Sequence, residues 1–257
     1  HGLDPSVADN NGDFDADGYT NLEEYLNEVA EWPAPAPILF NGATNSRYAQ
    51  ITNWDVNPNA TLVHNWQPSK YDTAVIDNGT VEVDAEGQHA GNVFLATNPG
   101  DNATLNITDG WLKVQDMPHG MSDGVVVIGD NNGATAELNL SGGKLTTKVL
   151  LKGDGGTFNF TGGVLSAETV GFDLVNDGGT IAPGASPGTT HVMGNLTLNS
   201  GTLEIEIGGT DPSQYDRMLV EGLATLGGTL SVKLIDLAGG TNLFVPQLGN
   251  QFAFLVA

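Results

Sequence analysis

One plan recurs along most of the chain: an alternating strand, a turn that contains glycine, and a second strand with a leucine at its start. Five segments follow this plan: "LNITDGWLKV", "LNLSGGKLTT", "FNFTGGVLSA", "LTLNSGTLEI" and "ATLGGTLSV". The leucines that align are Leu112, Leu145, Leu165, Leu203 and Leu230. Repeats on a scale of about 20–45 residues indicate a solenoid, in which each unit buries its apolar face against its neighbours.

The segments of the repeat alternate apolar and polar residues with a period of two. Clear examples are "GTVEVD" (79–84), "ATLNIT" (103–108), "AELNLS" (136–141), "TFNFT" (157–161), "NLTLNS" (195–200) and "GTLEIEIG" (201–208). Each segment can bury one face of a strand. We predict a mostly β chain whose main domain is a right-handed parallel β-helix, or β-solenoid. A Greek-key sandwich shows the same short alternating strands and is the alternative.

The first part of the chain has a different pattern. Helical spacing of apolar residues over "TNLEEYLNEVA" predicts one short helix, which stops at the prolines of "EWPAPAP". Proline-rich segments favour an extended, stiff conformation. The predicted organisation is therefore a calcium-loop and helix module in residues 1–31, a Pro-rich linker and lead-in in 32–49, and a β-solenoid domain in 50–257.

The twelve residues "DFDADGYTNLEE" fit the calcium-loop pattern D-x-D-x-D-G-x5-E without a mismatch. Gly18 permits the sharp reversal at the sixth position. Calcium takes six to eight oxygens in flexible geometry, whereas magnesium demands a tighter octahedron, so the pattern predicts Ca²⁺. The expected ligands are Asp13, Asp15, Asp17, the backbone carbonyl of Tyr19, Asn21 and Glu24. Asp9 and Asn11 extend the alternation upstream, where a second ion that shares Asp13 or Asp15 is an open alternative.

Two families resemble parts of this chain. The segment "GLDPSVADNNGDFDADGYTNLEEYLN" resembles the EF-hand-like calcium loops of bacterial pectate-lyase-like proteins, and one half of a cellulosomal dockerin. Only one loop–helix unit of the dockerin pair is visible. Most of residues 50–257, above all "GGTIAPGASPGT", resembles autotransporter-like β-helix repeats of bacterial surface proteins. The resemblance implies an extracellular or cell-surface location and an architectural role, and it brings no catalytic residues.

The net charge of the chain limits the classes of partner that it is expected to bind. Eight Lys and Arg stand against 31 Asp and Glu, a formal charge of −23. Nucleic acids and anionic membranes are polyanions, so neither is an expected partner, whereas a divalent cation is. No apolar run reaches the roughly 20 residues that a membrane-spanning helix needs. The chain starts at His1 without a signal-like segment, as expected of a product whose targeting peptide has been removed.

No catalytic constellation stands out. The basic residues are thinly spread, the five histidines form no ligand pair, and the sequence has no nucleophile elbow. Trp54, Trp66 and Trp111 would stack on sugars only if they shared an exposed face. The leading prediction is a non-catalytic, extracellular, calcium-binding structural protein that assembles with copies of itself into a filament, tubule or matrix. The alternative is a carbohydrate-binding or cell-surface appendage of a polysaccharide-degrading enzyme.

Overall fold

The computed structural model describes residues 20, 37–55, 67–115, 124–129 and 133–257. The chain divides into two compact units, His1–Ala36 and Pro37–Ala257. The predicted calcium loop and helix belong to the first unit and lie, apart from Thr20, outside the described residues. The second unit begins within the segment 32–49, which the sequence assigns to a linker and lead-in.

The second unit is mostly β, and its strands form three rows. The first row consists of β5 (Gln88–Ala90), β8 (Trp111–Val114), β11 (Lys144–Lys152), β13 (Val164–Val170), β15 (Thr180–Ile181), β18 (Thr202–Ile207) and β21 (Thr229–Leu234). The second row consists of β1 (Ile38–Phe40), β3 (Thr73–Ile76), β6 (Asn92–Leu95), β9 (Val125–Ile128), the later halves of β11 and β13, β16 (Thr189–Val192), β19 (Arg217–Val220) and β22 (Leu255–Val256). Because β11 and β13 belong to both rows, these strands and β2 (Trp54–Asp55) make one 15-stranded sheet.

The third row is built from two smaller sheets. A four-stranded sheet contains β4 (Asn78–Val83), β7 (Asn102–Ile107), β10 (Thr135–Leu140) and β12 (Gly156–Phe160). A three-stranded sheet contains β14 (Leu174–Asn176), β17 (Leu196–Leu198) and β20 (Ala224–Leu226). From β4 onward the chain passes through the third, first and second rows in that order, again and again. We call one such passage a circuit.

The strands of successive circuits pair in parallel and in register. Among the described strands only β1 and β2 pair antiparallel, so the sheets are not those of a Greek-key sandwich. The register confirms the alignment of the repeat: Leu112 pairs with Leu145, and Leu145 with Leu165. Leu165 pairs with Ile181 rather than directly with Leu203. The long interval between those two leucines therefore contains one further circuit.

Glycines make the corner between the third and first rows. Gly143 and Gly163 have φ angles of +58° and +68°, a region that residues with a Cβ rarely adopt. A Cβ on Gly163 would lie 2.2 Å from the carbonyl oxygen of Gly142 in the preceding circuit. The repeated glycine of the sequence pattern therefore permits both the turn and the close stacking of circuits.

The inward-facing side chains of all three rows form one hydrophobic core, in which β4, β7 and β10 contribute residues such as Val81, Leu105 and Leu138. On the outer face of the four-stranded sheet, amide groups form a ladder. Asn139 Nδ2 donates to Asn106 Oδ1 at 2.8 Å, and Asn159 Nδ2 donates to Asn139 Oδ1 at 2.7 Å. These side-chain bonds follow the same register as the backbone.

Aromatic residues close the end of the unit at which β1 lies. Tyr48 and Trp54 are fully buried, and their ring centroids are 4.9 Å apart. Trp54 Nε1 donates to the backbone oxygen of Tyr48 at 2.8 Å. Phe40 packs edge-on against Trp54. A 3₁₀ turn at Ile51–Asn53 and the antiparallel strand β2 complete this cover.

Candidate functional site

The predicted metal ligands are not among the described residues. Asp13, Asp15, Asp17, Tyr19, Asn21 and Glu24, together with Asp9 and Asn11 of the second-ion alternative, all lie in the first unit. Within residues 37–55, 67–115, 124–129 and 133–257, no group of three or more His, Cys, Asp or Glu is placed to hold a metal ion. Calcium binding therefore stays a prediction from the sequence.

The last strand of the first row exposes side chains that point toward the core in every earlier circuit. In β18 the inward residues Leu203, Ile205 and Ile207 are at most 5% exposed. Their register partners in β21 are Leu230, Val232 and Leu234, which are 49%, 50% and 38% exposed. The alternation of β21 is thus the same as that of β18, but among the described strands none pairs with its free edge.

The third row ends in the same way, whereas the second row is better covered. Leu198 of β17 is buried, whereas its partner Leu226 of β20 is 57% exposed. In the second row, β22 pairs with β19, and Met218 N donates to the backbone oxygen of Phe254 at 2.6 Å. The inward residue of β22 is Leu255, the register partner of buried Met218, and it packs partly buried against the core. Val256, which is 44% exposed, is the partner of Leu219 and faces outward. We call the surface formed by β20, β21 and β22 the open end.

A groove of about 510 Å³ runs across the outer face of the first row. Its floor carries Thr146 and Ser166, and the segment 182–186 forms one wall. Ser166 Oγ donates to the backbone oxygen of Gly184 at 2.6 Å, which fixes that wall against the floor. Trp111, Lys113 and Lys144 lie at one end of the groove, and Glu204, Glu206 and Asp216 lie at the other.

The acidic end of the groove is held by internal hydrogen bonds. Asp216 is buried, and it accepts from Gly188 N at 2.7 Å and from Glu206 N at 2.8 Å. Ser186 Oγ donates to Glu206, and Lys233 Nζ lies 2.7 Å from Glu204 Oε1. Burial raises the pKa of Asp216 to about 6, against the lowering effect of its two backbone donors. The negative charges of the two glutamates add to this rise.

The tryptophans do not share one exposed face. Trp54 belongs to the core, and Trp66 lies outside the described residues. Trp111 is half-buried on the groove, where its ring meets the His89 ring edge-on at a centroid distance of 4.9 Å. Only Trp111 of the described tryptophans is therefore placed to touch a ligand.

The groove was not predicted from the sequence, although the aligned leucines carry a signal for it. The residue after each buried leucine points outward, and these residues include Lys113, Thr146, Ser166 and Glu204. The alignment therefore places them in one row on the outer face. The sequence does not reveal the wall at 182–186, because this segment folds over the sheet through contacts with distant circuits.

No protein-family model, curated protein or solved structure matches the chain. Among the described residues, no helix is both long and apolar enough to cross a membrane.

Proposed function

We propose that this protein is a non-catalytic, calcium-binding structural protein of the extracellular space or cell surface, and that copies of it assemble through the open end of a β-solenoid. The observation that carries the proposal is the exposure of inward-facing residues in the last circuit. The fixed order of the three rows and their parallel register support a solenoid in which each circuit needs a neighbour on both sides.

The open end suits a second copy of the same chain. β21 is an edge strand, and its unpaired backbone groups offer hydrogen bonds to another strand. Two copies related by a two-fold axis would place one β21 antiparallel to the other and bury both sets of exposed Leu and Val side chains. Such an interface is self-complementary, as in most homodimers.

The two ends of the described unit have different roles under this proposal. Buried Tyr48 and Trp54 close the end at β1, so among the described residues the large aromatic side chains of that end are already packed within the chain. One open end joins only two copies. Growth into a filament, tubule or matrix requires a second contact, which we assign to the calcium-loop module of residues 1–31.

The acidic groups of the groove support a structural role more than a catalytic one. Both carboxylate oxygens of Asp216 accept backbone hydrogen bonds within the fold. Glu204 and Glu206 are engaged with Lys233 and Ser186. These contacts tie the wall of the groove to β18 and the start of β19.

The test is the oligomeric state of the purified protein and of Val232→Asp. Val232 is 50% exposed at the open end, and a carboxylate there would have to be buried in the interface. The wild type should form dimers or larger species at ~100 μM, far above a micromolar dissociation constant, and Val232→Asp should be monomeric. Light scattering coupled to size exclusion measures both.

The matched control is Val175→Asp. Val175 is 39% exposed, but it points outward from β14, in the interior of the row. This variant should associate as the wild type does. A wild type that remains monomeric at every concentration, or equal loss of association in both variants, would overturn the proposal.

A further inference from the structure

We propose that the groove on the first row binds a linear, uncharged oligosaccharide. This binding is separate from assembly, because the groove lies on the outer face of the sheet whereas the open end is formed by β20, β21 and β22.

The floor of the groove is long, shallow and polar. It crosses four strand steps from β8 through β11, β13 and β15 to β18, which corresponds to about 19 Å at about 4.8 Å per step. Thr146, Ser166 and Ala182 are small, so they leave room above the sheet for an extended ligand. An oligosaccharide of several sugar rings is extended and would occupy the length of the groove, whereas a compact ligand would fill only part of the groove.

One end of the groove provides an aromatic surface beside hydrogen-bond donors. Trp111 and Lys144 are register partners on β8 and β11, and Lys113 lies two residues beyond Trp111. Neither lysine forms an ion pair with another described residue. Sugars present apolar C–H faces with hydroxyl groups at their edges. An aromatic ring flanked by flexible ammonium donors matches that chemistry.

The other end supplies acceptors that are already oriented. Glu204 and Glu206 extend from the same strand, and their bonds to Lys233 and Ser186 hold them in place. A carboxylate has lone pairs for about four hydrogen bonds, so capacity remains for sugar hydroxyls. Because acceptors and donors are already positioned, little ordering is needed on binding.

The charges favour an uncharged ligand over a polyanion. Glu204 and Glu206 would face the ligand at one end, against Lys113 and Lys144 at the other. The whole chain has a formal charge of −23, which opposes the approach of a polyuronate. A neutral oligosaccharide is repelled neither by the carboxylates of the groove nor by the net charge of the chain.

The experiment is isothermal titration of the wild type with cellohexaose, xylohexaose and mannohexaose, and with hexagalacturonate as the charged comparison. We expect at least one neutral hexasaccharide to bind and hexagalacturonate to bind more weakly. Trp111→Ala should weaken that binding at least tenfold, and Trp111→Phe should restore part of it. Thr146→Tyr should abolish binding, because its ring would fill the floor of the groove.

The matched control is Thr104→Tyr, since Thr104 is also a half-buried, outward-facing threonine, but on β7 of the third row. It should bind as the wild type does. Absence of binding to all three neutral probes, unchanged binding in Thr146→Tyr, or tighter binding of hexagalacturonate would overturn the proposal. Thr146→Tyr should still associate through the open end, so the outcome is independent of the assembly test.

Discussion

At the scale of single residues, Asp216 shows how the fold determines the chemistry of a side chain. Its carboxylate joins two segments that are distant in sequence, through Gly188 N and Glu206 N. Burial raises its pKa to about 6 because the charged form loses contact with water. Nothing in the local sequence "SQYDRM" indicates this environment, since it is made by other circuits.

The raised pKa of Asp216 predicts a specific dependence of stability on pH. The folded state holds the proton more tightly than the unfolded state, whose pKa is near 3.8. The free energy of unfolding should therefore include a favourable contribution below about pH 4, which is lost as the pH rises through about 6. The shift sets an upper limit of about 3 kcal/mol on this loss.

In Asp216→Asn the decrease in the free energy of unfolding between pH 4 and pH 6 should disappear. The amide also replaces one of the two acceptor oxygens by an NH₂ group, which lowers the free energy of unfolding at every pH. Urea unfolding at several pH values measures it. The control is Asp211→Asn, since hydrogen bonds from Ser213 lower rather than raise the pKa of Asp211. A slope in Asp216→Asn equal to that of the wild type would contradict the assignment.

At the scale of elements, the strands of the repeat were predictable and their connections were not. The patterns at 103–108 and 136–141 became β7 and β10 within one residue at each end, because alternation is a local property of a strand with one buried face. The circuit that contains β15 was missed. Its strand is only Thr180–Ile181, too short to show a period of two.

The corner glycines give a prediction about the stacking of circuits. Gly163→Ala combines a left-handed φ with a Cβ placed 2.2 Å from the backbone oxygen of Gly142. Gly142 lies in the corner turn between β10 and β11, where its backbone N donates to Ile107 O of the preceding circuit, so it cannot move aside without breaking that bond. We expect the free energy of unfolding to fall by at least about 2 kcal/mol, more than the roughly 1–2 kcal/mol cost of the left-handed conformation alone.

The matched control for this corner is Gly87→Ala. Gly87 has a φ angle of +81°, but a Cβ there meets nothing within 4 Å. Gly87→Ala therefore has the free-energy cost of a left-handed backbone but no steric clash of the added Cβ. Denaturant unfolding of both variants separates the two contributions. Equal destabilisation would show that the close approach of the circuits has no part in the effect.

At the scale of the whole molecule, charge and apolar surface act against each other. A formal charge of −23 opposes the association of copies, whereas the uncovered last circuit favours it. The aligned leucines predicted which side chains of successive strands stack in the core. They did not predict that Leu230 is exposed, because the exposure of a strand depends on its neighbours in space. A cation bound near the amino end would lower the charge that resists assembly.

The calcium loop provides the last prediction. Glu24 stands at the twelfth position of the loop pattern, where its two oxygens would close the coordination shell. Glu24→Gln removes one charge and one strong ligand, so the affinity for Ca²⁺ should fall by at least about tenfold, because ligand charge sets affinity in such loops. Titration of chelator-treated protein with CaCl₂ in a calorimeter measures it. Glu28→Gln, an equal change of charge outside the pattern, should leave the affinity nearly unchanged, and equal weakening in both variants would point to diffuse attraction of cations by an acidic segment.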